Sequence, residues 1–127
     1  MKDRLYPEER KFAHIIWRKE PLSTTELVQQ ASKELGWKRT TSYTVLKRLC
    51  EKGLFETDNG MVRALVPQEE YYSQESRSYV RESFGGSLPA FIAAFVSDER
   101  ISPKEAKLIR KLIREAEEAA EQDETEE

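Results

Sequence analysis

The chain has 127 residues, 38% of them hydrophobic and 35% charged, and a formal net charge of −3. That is one domain, or a small domain with an accessory piece, and no apolar run reaches the roughly 18 residues that a membrane span requires. With Cys50 the only cysteine and His14 the only histidine, an intrachain disulfide and a zinc site of the usual Cys/His kind are both excluded.

Pro7 suits the first turn of a helix, where its missing N–H is not needed. Phe12, Ala13, Ile16 and Trp17 then recur at helical spacing, so a first helix is expected over 7–19, and Pro21 stops it. Ser23-Thr24-Thr25-Glu26 has the form of a capping box, a hydroxyl for the backbone N–H three residues on and a carboxylate reaching back. It opens a second helix, carried by Leu27, Val28, Ala31 and Leu35 to Gly36, a natural residue just past a helix end. A third helix follows over 38–52 and closes at Gly53.

At 100° per residue this third helix has two unlike faces. Ser42, Val45, Leu46 and Leu49 form a narrow apolar side. Thr40, Thr44, Lys47 and Arg48 lie broadly opposite, Thr41 and Tyr43 flank them, and Lys38 and Arg39 stand at the entrance. Between residues 38 and 48 there are four cations and no anion. Such a face suits a phosphate-lined groove, with cations for backbone oxygens and Thr, Tyr and Arg for base edges and methyl groups. The plain alternative is a solvated basic helix face. The surroundings decide between them, because two helices joined by a short Gly-containing turn, the second one basic, form the helix-turn-helix pattern.

Asp58-Asn59-Gly60 separates the strand-like runs 54–57 and 61–66, a strong hairpin signal. Three helices and a hairpin make a winged helix, with Asn59 and Arg63 on the wing beside the DNA. Pro67 starts a fourth helix, through about residue 83 and broken by Gly85-Gly86, in which Tyr71, Tyr72, Tyr79 and Val80 amid charges make one side that should pack and leave the other to water. No charged residue lies between 83 and 97. Leu88, Phe91, Ile92, Phe95 and Val96 form a helical stripe there, too short to span a membrane and too apolar to be left in water. Ser102-Pro103-Lys104-Glu105 caps a last helix bearing Leu108, Ile109, Leu112 and Ile113. Seven of the final eleven residues are acidic, which suggests a frayed or disordered tail.

The fold class expected is mainly α with a small β-hairpin: a winged helix-turn-helix domain over 1–67, a helical linker and dimerisation domain over 68–121, and a tail over 122–127. Residues 1–66 hold 13 Lys and Arg against 9 Asp and Glu, whereas residues 67–127 hold 8 against 15. Only the first half is thus suited to a polyanion. The roughly 40 residues after Gly85 form too small a piece to build a core alone, so the two apolar stripes need a partner surface: the chain's own winged helix or, the preferred reading, a second copy of the chain. One head reads few base pairs, and symmetric dimers on pseudo-palindromes are the common remedy. Residues 1–11 mix charges of both signs and do not read as a secretory signal; with no disulfide, the expected place is the cytoplasm.

Taken together, the chain resembles the bacterial penicillinase-repressor family. The resemblance is carried by Ile16-Trp17, by Ser23-Thr24-Thr25-Glu26-Leu27-Val28, by the run from Thr41 to Gly53 (Thr-x-x-Thr-x-Leu-x-Arg-Leu-x-x-Lys-Gly), and by Gly85-Gly86-Ser87-Leu88. It implies a homodimeric repressor that binds operator DNA and blocks a resistance or stress operon, with no cofactor and no membrane insertion. In the β-lactam-responsive branch it also implies a membrane-bound sensor protease that cuts an Asn–Phe bond in the apolar helix. Here the corresponding pair is Ala94-Phe95, without the Asn. The copper-responsive branch carries a C-terminal cysteine metal motif, which Cys50 alone cannot supply. The wing is also short of the family's basic and aromatic character, with Arg63 nearly alone. A winged-helix module that binds protein instead of DNA is the competing reading. An enzyme is disfavoured, since no nucleophile–base pair, metal set or phosphate loop is present.

Overall fold

The computed structural model describes residues 4–126; the first three residues of the expected 1–67 domain, and Glu127 of the expected tail, lie outside them. The element order is α1 (Pro7–Lys19), β1 (Leu22–Ser23), α2 (Thr24–Leu35), α3 (Arg39–Glu51), β2 (Phe55–Asp58), β3 (Met61–Ala64), α4 (Gln68–Phe84), α5 (Leu88–Val96) and α6 (Pro103–Glu126). These fall into two compact units that divide between Glu82 and Ser83.

The first unit is a winged helix. Its core is built from Phe12, Ile15 and Ile16 of α1, Leu27 and Ala31 of α2, Val45, Leu46 and Leu49 of α3, and Leu54, Phe55 and Val62 of the hairpin, all buried. The Ser23 hydroxyl accepts the Glu26 N–H at 3.0 Å and so starts α2. Gly36, at φ 70°, ends that helix in the left-handed region, which costs a residue with a Cβ roughly 1–2 kcal/mol. Trp37 follows in the turn and stacks on Phe12 at 5.1 Å, so this aromatic residue fixes the approach to α3.

β2 and β3 pair antiparallel with Thr57 opposite Val62 and Asp58 opposite Met61. Asn59 and Gly60 both have positive φ, 54° and 78°. Those are the angles of a type I′ turn, whose twist matches that of the strands it joins. The sheet has a third strand that the sequence pattern does not reveal: β1, with Leu22 opposite Val62. Two residues are too few to show an alternation.

The first unit also extends beyond residue 67, where the sequence reading ended the domain, because the start of α4 is fastened to α1. Tyr71 is fully buried, and its hydroxyl accepts the Leu5 N–H at 2.8 Å. The Trp17 ring lies 5.2 Å from Phe55 and 5.5 Å from Tyr71, and its indole N–H donates to the Val66 carbonyl at 3.0 Å. Arg10 pairs with Glu75 at 2.8 Å.

The second unit holds α5 and α6, whose Ser87 and Ser102 hydroxyls accept the N–H groups of Ala90 and Glu105, each at 3.1 Å. α6 runs to Glu126, through the residues for which a disordered tail was expected. Ala, Glu and Gln are good helix formers, and no Gly or Pro interrupts 104–126. Most of the large apolar side chains of this unit are exposed in the single chain: Leu88 is 56% exposed, Phe95 52%, Leu108 55% and Leu112 64%. Among the described residues no helix is long and apolar enough to cross a membrane.

Candidate nucleic-acid interface

The burial of α3 divides along its length. Ser42, Val45, Leu46 and Leu49 face the core, and Thr40, Thr41, Tyr43, Thr44, Lys47 and Arg48 are exposed, with Lys38 and Arg39 exposed at the helix start. The four buried positions recur every three or four residues, so one side of the helix is clamped by packing and the other is presented rigidly to solvent.

Several groups on the exposed side are already oriented. The Arg39 guanidinium lies over the Tyr43 ring, 5.5 Å from its centroid, which holds both at the beginning of the helix. The Thr44 hydroxyl donates to the Thr40 carbonyl at 2.9 Å, leaving its methyl group and its lone pairs outward. Arg39 and Tyr43 also line a shallow cleft of about 210 Å³ with Thr25, Val28 and Gln29 of α2. In the sequence Thr25 and Val28 read only as helix-forming positions, and Gln29 carried no signal. The cleft sits where the two helices of a helix-turn-helix meet, and its rim is a cation and three hydroxyl or amide groups.

The cations differ in how far they are neutralised. Among the described residues no carboxylate pairs with Lys38, Arg39 or Lys47. Arg63, on the exposed side of β3, has Glu56 at 3.5 Å, so the wing presents little net charge; Asn59 is exposed at its tip. Arg48 faces Glu9 of α1, with Nε 3.8 Å from Oε2. Glu9 was missed in the sequence because it reads there as one of several charges in the first turn of a helix.

Glu9 is 2% exposed. Its Oε1 accepts the Tyr6 N–H at 2.9 Å and the Lys52 ammonium at 2.7 Å. Burial is the largest single influence on its carboxyl and works upward. The Lys52 and Tyr6 hydrogen bonds and the charges of Lys52 and Arg48 together outweigh it, so the group titrates below the usual carboxylate range. Lys52 also donates to the Arg4 carbonyl at 2.9 Å. The C-terminal end of α3 is therefore tied to the start of α1 through one carboxylate.

In the second unit Leu88, Ile92, Phe95, Val96, Leu108, Ile109, Leu112 and Ile113 are exposed, and Phe91 is half-buried with its ring edge-on to Phe84 at 5.5 Å. Ala94 and Phe95 lie inside α5, both exposed. Among the described residues no group of three or more His, Cys, Asp and Glu could hold a metal ion. The arrangement is one for binding: a row of cations and hydroxyls on a rigid helix, and an apolar surface on a separate pair of helices.

Comparison with known proteins agrees with the fold. The family model described as Penicillinase repressor matches residues 6–115. The penicillinase repressor of Bacillus licheniformis is 26% identical over 105 residues, covering 80% of this chain and 82% of its own. The methicillin resistance regulatory protein MecI of Staphylococcus aureus is 24% identical over 109 residues, covering 83% and 89%. MecI of Mammaliicoccus sciuri is 23% identical over 104 residues, covering 79% and 85%. The chain belongs to the penicillinase repressor family, whose members are transcriptional repressors and not enzymes.

Proposed function

We propose that the protein represses transcription as a homodimer bound to a pseudo-palindromic operator, each protomer laying α3 in a major groove. One observation carries the reading: the exposed face of α3 bears Lys38, Arg39 and Lys47, none paired with a carboxylate among the described residues, alongside Thr40, Thr41, Tyr43 and Thr44. Cations meet phosphates and set the register, while the hydroxyl-bearing residues are of a length to touch base edges and thymine methyl groups. Arg48 adds to the far end of the row, and Asn59 and Arg63 on the hairpin lie beside the backbone. A protein-binding helix would gain little from that charge.

The second half of the proposal rests on the apolar faces of α5 and α6. A helix with Leu88, Ile92, Phe95 and Val96 exposed is costly in water, and a second copy supplies a matching surface. Truncating a buried Phe or Leu to Ala costs about 2–5 kcal/mol, and a symmetric interface carries each change twice. Phe95→Ala with Leu112→Ala should therefore yield monomers. Losing the second head should weaken operator binding by about 10²–10⁴-fold. The test is sedimentation of this double variant beside titration with an operator duplex recovered from random sequence. A folded monomer that binds the full operator as tightly as wild type would refute the dimer reading.

A further inference from the structure

We infer that Glu9 is a positioning residue for Arg48, one that lowers the affinity of the recognition helix for DNA of arbitrary sequence. The inference rests on the DNA-binding reading above and adds to it a residue outside the helix-turn-helix. Glu9 has one oxygen fully engaged, by the Tyr6 N–H and the Lys52 ammonium. Its other oxygen, Oε2, is buried with no hydrogen-bond partner among the described residues. That oxygen lies 3.8 Å from Arg48 Nε. A buried carboxylate oxygen without a donor is unfavourable, so it draws the nearest guanidinium edge toward it. Arg48 is nonetheless 53% exposed, and the rest of its fork stays outside, on the face that carries Lys47 and Thr44.

Two consequences follow from elementary electrostatics. A phosphate approaching Arg48 meets a cation partly offset by an anion 3.8 Å away, whereas one approaching Lys47 meets a charge with no carboxylate partner among the described residues. Binding to arbitrary sequence scales with the number of phosphates neutralised; binding to the operator also needs side chains in a fixed geometry. A carboxylate that fixes a guanidinium and offsets its charge weakens the first and preserves the second. A purely structural role for Glu9, joining α1 to Lys52, would leave that ratio unchanged.

The experiment uses the full chain, an operator duplex from selection and a random-sequence duplex of equal length, each titrated over a range of KCl concentrations. Glu9→Gln keeps the side-chain size and an acceptor for the Tyr6 N–H while removing the charge. Random-duplex affinity should rise roughly three- to sixfold, with the slope of log affinity against log salt steeper by up to about 0.9 for each protomer engaged, the value for one whole phosphate. Operator affinity should change less, so the specificity ratio falls. In an Arg48→Ala background, Glu9→Gln should leave the slope unchanged. Equal shifts on both duplexes without a change of slope, or the same increase in the Arg48→Ala background, would overturn the inference. A second comparison does not depend on how Glu9→Gln folds: in the wild-type background Arg48→Ala should flatten the random-duplex slope less than Lys47→Ala does, and equal flattening counts against it. If wild type binds neither duplex, the DNA-binding reading itself fails; if wild type binds and these contrasts are absent, only the role of Glu9 does.

Discussion

The uncompensated cations of α3 lead to a number that a binding curve can check. Lys38, Arg39 and Lys47 have no carboxylate partner among the described residues, whereas Arg48 and Arg63 share theirs with Glu9 and Glu56. If each uncompensated cation neutralises one phosphate, a dimer engages roughly six, and log affinity falls with log salt at a slope of about −5. Between 50 and 200 mM salt that is a loss of about 10³-fold. Lys47→Ala removes one contact per protomer, so its slope should be about −3.6 and its loss over the same range about 10²-fold. Lys38→Ala with Arg39→Ala should flatten the slope further, and Arg63→Ala should flatten it less than Lys47→Ala, since Glu56 at 3.5 Å already offsets that charge. The assay is fluorescence anisotropy of a labelled duplex at several salt concentrations. A wild-type slope shallower than about −2, at odds with six phosphate contacts, would refute the assignment of these residues to a phosphate-facing surface. So would a larger effect of Arg63→Ala than of the Lys38/Arg39 pair.

Two further outcomes concern the scaffold that holds this surface. Tyr71→Phe leaves the Leu5 N–H, now bonded to the Tyr71 hydroxyl at 2.8 Å, without a partner in a buried place, and should destabilise the first unit by about 1–3 kcal/mol; an unchanged thermal midpoint would contradict that contact. The Glu9 carboxyl titrates lower in the folded chain than in the unfolded one, where its ordinary value is 4.5. Its contribution is therefore present above that value and lost as pH falls through the folded one. Urea midpoints of wild type should consequently drop faster on acidification below about pH 5 than those of Glu9→Gln, and parallel profiles would show that the carboxylate is not held by Lys52 and Arg48.

Much of the fold was legible because its signals are local. Ser23 and Gly36 bound α2, Asn59-Gly60 turns the hairpin, and Gly85-Gly86 separates α4 from α5. The inward side of α3 was readable from the spacing of Ser42, Val45, Leu46 and Leu49. What escaped depends on residues distant in sequence. β1 is a strand only because Leu22 meets Val62. Tyr71 and Tyr72 mark a side of α4 that should pack, but not what it packs against: α4 joins the first unit because Tyr71 reaches Leu5 and Arg10 reaches Glu75. α6 continues to Glu126 because acidic residues mark solvation, not loss of helix. In the candidate site, spacing identified which side chains share a face. It could not tell which cations have an anion nearby, and the difference between Lys47 and Arg48 comes entirely from Glu9 on another helix.

Selection of bound sequences from a pool of random duplex DNA, with the full chain, tests whether a symmetric dimer reads DNA through α3. The expected result is enrichment of an inverted repeat whose half-sites are separated by about one helical turn or a multiple of it, roughly 10 base pairs per turn. Phe95→Ala with Leu112→Ala should recover single half-sites at best. A pool that shows no enrichment, or that enriches one unrepeated motif with the wild-type chain, would contradict it.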